Sequence, residues 1–258
     1  MWQVFLVQEG GVGTAHYVLT VVVVLLVFAA EEAVARWRWC AAWNTRGYVL
    51  CENFFHVRNT AVRLGVVVAA GVGFPLLFGW DVFASAVFAL AGYAAYSAVF
   101  FDVTQTKIPK EPCWAVLSAG SVFVAADYVA VKIFEGVYNN AGLVSYAVAF
   151  VSTTIITLFL AFITRGGFGS GDVRYIVMLS PIGFWAGYSA LLLALLLASV
   201  FQLFVFVFFR LKAGGFGGSG SRMLPFAPSL TAGYAVAVFF FAGPAQVCLE
   251  WANTVSCR

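Results

Sequence analysis

Charged residues are scarce in this 258-residue chain. Only 10% of its residues are Asp, Glu, Lys or Arg, whereas 63% are hydrophobic; a soluble domain carries about 25% charged residues. So few charges cannot cover a water-facing surface of this size, and we expect a lipid bilayer to surround most of the protein. The net charge of +3 is small and predicts no nucleic-acid partner.

Cysteine is also sparse, and familiar catalytic motifs are missing. The five cysteines form no CxxC pair, which argues against a structural zinc site. The sequence contains neither HExxH nor GxSxG, and His16 and His56 are isolated. We therefore expect no metal and no cofactor. Cys248 and Cys257 would form a disulfide if the C-terminal end faces an oxidising space, and would otherwise be unpaired thiols.

Long hydrophobic runs are what the sequence has in abundance. They are continuous rather than alternating, which indicates helices and not the strands of a barrel. We predict an all-α integral membrane protein, a polytopic helical bundle with about eight transmembrane helices, that forms a single domain over residues 1–258. The predicted runs, the sixth of them short, are 16–35, 64–80, 82–101, 114–134, 143–163, 173–182, 184–209 and 224–247.

The basic residues predict how the chain is threaded. Residues 36–63 form a polar stretch with five arginines, Arg63 among them, and we interpret it as a cytoplasmic loop. Threading eight crossings from that loop places twelve of the 14 Lys and Arg residues on its side, and only Lys132 and Arg258 on the other. This asymmetry follows the positive-inside rule. We expect a multi-pass protein of the cell (inner or plasma) membrane with both termini outside.

Two aspartates stand at the cytoplasmic ends of apolar runs. Asp102 lies in Phe-Asp-Val-Thr-Gln-Thr-Lys-Ile-Pro, and Asp172 lies in Gly-Phe-Gly-Ser-Gly-Asp-Val-Arg. Two carboxylates that share one proton can hydrolyse an amide, because one acts as acid while the other acts as base. Gly169 and Gly171 allow close approach of the backbone, and Pro109 ends a helix. Either aspartate alone is typical of a helix cap, but the two motifs together favour catalysis.

The helix ends also predict a division of roles within the pair. Asp172 opens a helix, where the dipole favours a carboxylate, whereas Asp102 closes one. We therefore expect Asp172 to ionise more readily and Asp102 to hold the shared proton, although the pair titrates as a coupled unit.

These motifs, followed by Leu-Pro-Phe-Ala-Pro at 224–228, resemble those of the type IV prepilin leader peptidases. That family belongs to the GxGD aspartyl proteases, with presenilin and archaeal preflagellin peptidases. The resemblance implies a peptidase core at about 82–241, in which Asp102 and Asp172 are the catalytic pair and Gly169, Gly171, Pro109 and Pro225 support them. It implies a type IV pilin-like (prepilin) substrate, whose N-terminal leader is cut just before its hydrophobic helix at the cytoplasmic face.

The chain departs from the family pattern in its first loop. Many bacterial relatives carry two CxxC pairs there and also methylate the new N-terminus with S-adenosylmethionine. This chain has only Cys40 and Cys51 in that loop, so we do not expect methyltransferase activity. Position 227 is Ala where Gly is usual. Arg165 and Arg174 flank the second motif as ordinary cytoplasmic anchors or as contacts for an acidic position of a substrate.

Two other functions fit parts of the sequence. A proton- or cation-coupled membrane transporter would use Asp102, Asp172 and Asp127 as an ion path. Such proteins usually bind near the midplane and often contain repeats, whereas here both key acids lie at one face and no repeat is visible. A catalytically silent relative that acts in pilus assembly is the other alternative, but neither aspartate is missing.

Overall fold

The computed structural model describes residues 14–45, 51–73, 82–136, 139–163, 169–212 and 225–239, and within these ranges the protein is helical without any strand. The predicted all-α class is confirmed for this part of the chain. The α-helices are α1 (Thr14–Val34), α2 (Cys40–Thr45), α3 (Cys51–Phe54), α4 (Val57–Val68), α5 (Val82–Gln105), α6 (Lys110–Glu135), α7 (Asn140–Ile163), α8 (Ser170–Met178), α9 (Gly183–Ala186), α10 (Tyr188–Lys212) and α11 (Ala227–Ala237).

Five helical stretches within the described ranges are long and apolar enough to cross a bilayer, as expected of a helical membrane protein. They are Tyr17–Thr45, Val82–Gln105, Lys110–Phe134, Asn140–Ile163 and Tyr188–Phe208. In the described ranges, the other three predicted crossings overlap the shorter helices α4, α8 and α11. The count of eight and the single-domain organisation stay predictions.

Helix α5 lies at the centre of the bundle. In its most apolar stretch, 78% of the residues are buried, compared with 17–28% in the other four spanning helices. Its sequence is rich in alanine and also holds Gly92, and small side chains let neighbouring helices approach closely. One cluster of buried residues joins α5 to α6, α8, α10 and α11. The helix that carries Asp102 is therefore surrounded by protein.

Helices α10 and α11 touch through their backbones. A Cβ atom added at Gly233 of α11 would lie 2.6 Å from the backbone nitrogen of Ala198 and 2.8 Å from the carbonyl oxygen of Ala194, both on α10. Only glycine fits at such a distance. This contact fixes the position of α11 relative to α10.

The stretch 36–63, which the sequence predicts to be a polar loop, is largely helical where the structure describes it, and its cytoplasmic location stays a prediction. A π-helical turn at Ala35–Trp39 continues α1 into α2, and α3 and the start of α4 occupy the rest of the described stretch. The stretch is rich in aromatic residues, and Trp43 and Phe54 are fully buried. Because these rings supply apolar surface, they pack against Phe101 and Tyr93 of α5.

Arg63 is not an exposed cytoplasmic anchor, because its side chain is 0% exposed. Its Nη2 donates to Oε2 of Glu32 at 2.6 Å, and its Nη1 donates to the carbonyl oxygen of Phe54 at 2.8 Å. The guanidinium also lies 4.1 Å from the ring centroid of Phe54. Glu32 also accepts from Tyr93 of α5 at 3.3 Å. The planar guanidinium can use a carboxylate, a carbonyl and aromatic faces together, so the buried charge ties α1, α3, α4 and α5 to one another.

We expect Arg63→Met to destabilise the protein by about 3–5 kcal/mol, because it leaves part of the Glu32 carboxylate buried without its cation. The matched control is Arg36→Ala. Arg36 pairs with the same carboxylate at 2.8 Å, but its side chain is 52% exposed, so its loss should cost about 0–1 kcal/mol. Unfolding in detergent measures both, and equal losses for the two variants would contradict this account.

Candidate active site

Asp102 is placed by the end of α5. It lies in the last turn of the helix and is only 6% exposed. The helix ends because Thr106 adopts a left-handed backbone conformation, with φ 53°, and because Pro109 follows as the N-cap of α6. The Lys-Ile-Pro segment therefore makes the sharp connection that the prolines predicted.

A second helix begins at the Asp102 carboxyl group. The backbone N–H of Ala227, the first residue of α11, donates to Oδ2 of Asp102 at 2.8 Å, and the N–H of Phe226 adds a further hydrogen bond. The first N–H groups of a helix have no partners within it and favour an anion. Pro225 and Pro228 flank these two residues, so the Pro-Phe-Ala-Pro element forms the start of the helix that holds Asp102.

Asp172 is held by the start of its own helix. It is the third residue of α8, and its Oδ2 accepts the N–H of the N-cap residue Gly169 at 3.0 Å. Burial raises the pKa of Asp172 to about 6; the hydrogen bond from Gly169 acts in the opposite direction, and the nearby charge of Asp102 raises the pKa further. The two carboxyl groups are therefore electrostatically coupled across the site.

The two aspartate motifs pack directly on each other. A Cβ atom added at Gly171 would lie 3.1 Å from Cβ of Ile108, and Ile108 is 6% exposed. The glycine before Asp172 thus lets α8 lie against the segment that follows Asp102. A hydrogen bond of 2.6 Å between the hydroxyls of Tyr175 and Thr231 joins α8 to α11. Three chain segments meet at the pair.

The hydrogen-bond donors to Asp102 affect the prediction that Asp172 ionises more readily and that Asp102 holds the shared proton. From the sequence, Asp102 has the C-terminal end of α5 beside it and Asp172 has the N-terminal end of α8; the structure adds the start of α11 beside Asp102. Asp102 in fact accepts N–H groups from a helix N-terminus, as Asp172 does. Because both carboxyl groups have such donors, helix ends alone do not separate them, and the assignment stays a prediction.

Gln105 belongs to the site but was missed by sequence reasoning. It lies three residues after Asp102, on the same face of α5. Its side-chain nitrogen and oxygen are both buried, and neither has a hydrogen-bond partner among the described residues. An unpaired buried amide is costly, so Gln105 is a candidate for contact with a bound group. The available signal was its polarity one turn beyond Asp102.

Of the two arginines that flank the second aspartate motif, the structure describes only Arg174. The Nε of Arg174 donates to the carbonyl oxygen of Ser170 at 3.0 Å, so this side chain folds back on its own helix. Arg165 lies outside the described residues, as do Cys248 and Cys257. Among the residues that are described, no three His, Cys, Asp or Glu side chains form a metal-binding group.

The raised pKa predicts how Asp172→Asn changes stability with pH. Between pH 3.8 and about 6 the unfolded chain has lost a proton that folded Asp172 still holds, so wild-type stability falls across this range as pH rises. Asparagine lacks this effect and can still accept from Gly169. We expect the Tm of the variant, relative to wild type, to be higher at about pH 7 than at about pH 4. A constant difference would contradict the raised pKa.

Comparison with known proteins agrees with the motifs. Residues 88–207 match the model of the type IV leader peptidase family, and this segment contains both aspartates. No curated protein and no solved structure matches the chain. The resemblance drawn from the two aspartate motifs is thereby confirmed over residues 88–207, where the chain is similar to the type IV leader peptidase family.

Proposed function

We propose that this chain is a membrane aspartyl endopeptidase that removes the N-terminal leader of prepilin-like proteins at the cytoplasmic face of the cell membrane. The observation that supports the proposal is the packing of the two aspartate motifs, in which Gly171 lies against Ile108. Asp102 accepts two backbone N–H groups from the start of α11, Asp172 accepts one from Gly169, and the charge of Asp102 raises the pKa of Asp172. Such an arrangement is typical of an acid–base pair that shares one proton.

The pair can hydrolyse a peptide bond without a cofactor. Asp172, as the carboxylate, takes a proton from a water molecule, whose oxygen attacks the carbonyl carbon. Asp102 gives its proton to the carbonyl oxygen, which produces a neutral gem-diol. Asp172 then gives its proton to the leaving nitrogen, Asp102 recovers a proton from a hydroxyl, and the C–N bond breaks. The pair returns to its starting state.

Two further side chains are proposed to contact the substrate. The amide of Gln105, one turn from Asp102, can form hydrogen bonds with an extended peptide backbone, because it has a donor and an acceptor that the described residues leave unpaired. Arg174, with Arg165, is a candidate for an acidic position in the substrate. Both contacts would act in binding rather than in bond breaking.

The transporter alternative requires Asp127 to act with the pair. Asp127 is 2% exposed in α6, which begins beside the site at Lys110. With a rise of about 1.5 Å per residue, Asp127 lies about 25 Å along the helix from that end. This separation favours a local reaction at one face over a continuous acidic path.

Leader removal tests the proposal. In cells that also express a prepilin-like substrate, we expect Asp102→Asn and Asp172→Asn each to reduce cleavage by at least about 100-fold, because each removes an acid–base group. Loss of the leader is read as a mobility shift on a gel, with the amount of each variant measured by immunoblot. Asp127→Asn is the control that should retain cleavage. Continued processing in either variant of the pair would refute the peptidase assignment.

Spacing within the pair is tested at Gly171. We expect Gly171→Ala to lower kcat/KM by about 10- to 100-fold, because its methyl group would force Ile108 and the segment after Asp102 away from α8. Gly65→Ala in α4 is the matched control, since a Cβ atom there meets nothing within 4 Å. The melting temperature of each variant separates misplacement from unfolding. Full activity of Gly171→Ala would show that the contact does not set the geometry.

A further inference from the structure

An apolar groove opens on the side of the bundle between α7 and α10. Its volume is about 880 Å³. Leucine is the commonest residue in its walls, with Leu160 from α7 and Leu196 and Leu203 from α10. Ile176 and Phe226 line it on the side of the aspartate pair. Leu196 and Leu203 are 61% and 62% exposed. The groove thus presents a large apolar surface in the membrane-spanning part of the protein.

The groove is continuous with the aspartate pair. Phe226 lines the groove, and its backbone N–H is bonded to Asp102. Ile176 follows Asp172 by one turn of α8 and therefore lies on the same face of that helix. Phe226 and Ile176 therefore lie between the groove and the aspartate pair.

One wall contains an amide at membrane depth. The oxygen of Gln202 accepts the hydroxyl of Ser229, in the first turn of α11, at 2.7 Å. The described residues provide no such bond for its nitrogen, which carries two donors. Lipid chains cannot accept hydrogen bonds, whereas the carbonyl groups of a peptide can. The wall chemistry therefore fits a polypeptide better than a lipid chain.

We propose that this groove binds the apolar segment of the protein substrate that adjoins the scissile bond. The proposal rests on the proposed function and adds to it the location of the substrate: the leader approaches from the cytoplasm, and the hydrophobic part that follows lies between α7 and α10. A helix with its side chains is about 10–12 Å across, and the open side of the groove admits it from the bilayer. Binding energy from this segment would hold the peptide bond at the pair.

Two substrates separate groove binding from catalysis. One is the full membrane substrate with its apolar segment, and the other is a short leader peptide that ends soon after the scissile bond. Leu196→Trp fills the groove, and Phe204→Trp is the matched control on α10, because Phe204 is 67% exposed but does not line the groove. Kinetics are measured with purified full-length protein in detergent, and Leu203→Trp serves as a second variant if Leu196→Trp folds poorly.

We expect Leu196→Trp to raise KM for the full substrate by at least about 10-fold, because the variant removes binding energy and not an acid–base group. For the short peptide, kcat/KM should stay within about 2-fold of the wild-type value. Phe204→Trp should change neither. Suppose that the short peptide is cleaved in an Asp102-dependent manner, but Leu196→Trp and Leu203→Trp leave both substrates unaffected. The groove then does not bind the apolar segment, and the inference is overturned while the peptidase assignment stands. If wild type cleaves neither substrate, the peptidase assignment fails and the inference fails with it.

Discussion

The hydrogen bonds from the start of α11 to Asp102 are the constraint on which the rest of the site depends. A carboxyl group that is 6% exposed at the end of a membrane-spanning helix needs donors nearby. The N–H groups of Phe226 and Ala227 provide them across 125 positions of the chain. The Tyr175–Thr231 hydroxyl bond and the Gly171–Ile108 contact then bring α8, and with it Asp172, to the same point.

A second support lies behind Asp102. Its neighbour Phe101 is fully buried, with ring centroids 4.9 Å from Trp43 and 5.4 Å from Phe54. Trp43 in turn donates to Glu111, in the first turn of α6, at 2.9 Å. The aromatic segment that includes α2 and α3, fixed by Arg63, thus packs against the helix that bears the catalytic candidate. The site is held by α11 on one side and by this cluster on the other.

The sequence predicts the class of fold and the two aspartates, because both depend on local patterns. Continuous apolar runs identify helices in lipid, and Asp102 and Asp172 stand in short motifs with glycine and proline. Burial of Arg63 could not be predicted in this way, since its partners Glu32 and Phe54 belong to other helices and a run of arginines ordinarily indicates a solvated loop. The donors on Asp102 were also missed, because a helix start more than a hundred residues away leaves no trace beside the aspartate.

The glycine contact between α10 and α11 has a mechanical consequence. Because Gly233 lies against the backbone of Ala194 and Ala198, no flexible side chain separates the two helices at that point. Neither helix can move toward the other at this point, because backbone already meets backbone. The start of α11, which holds Asp102, therefore stands on a rigid support.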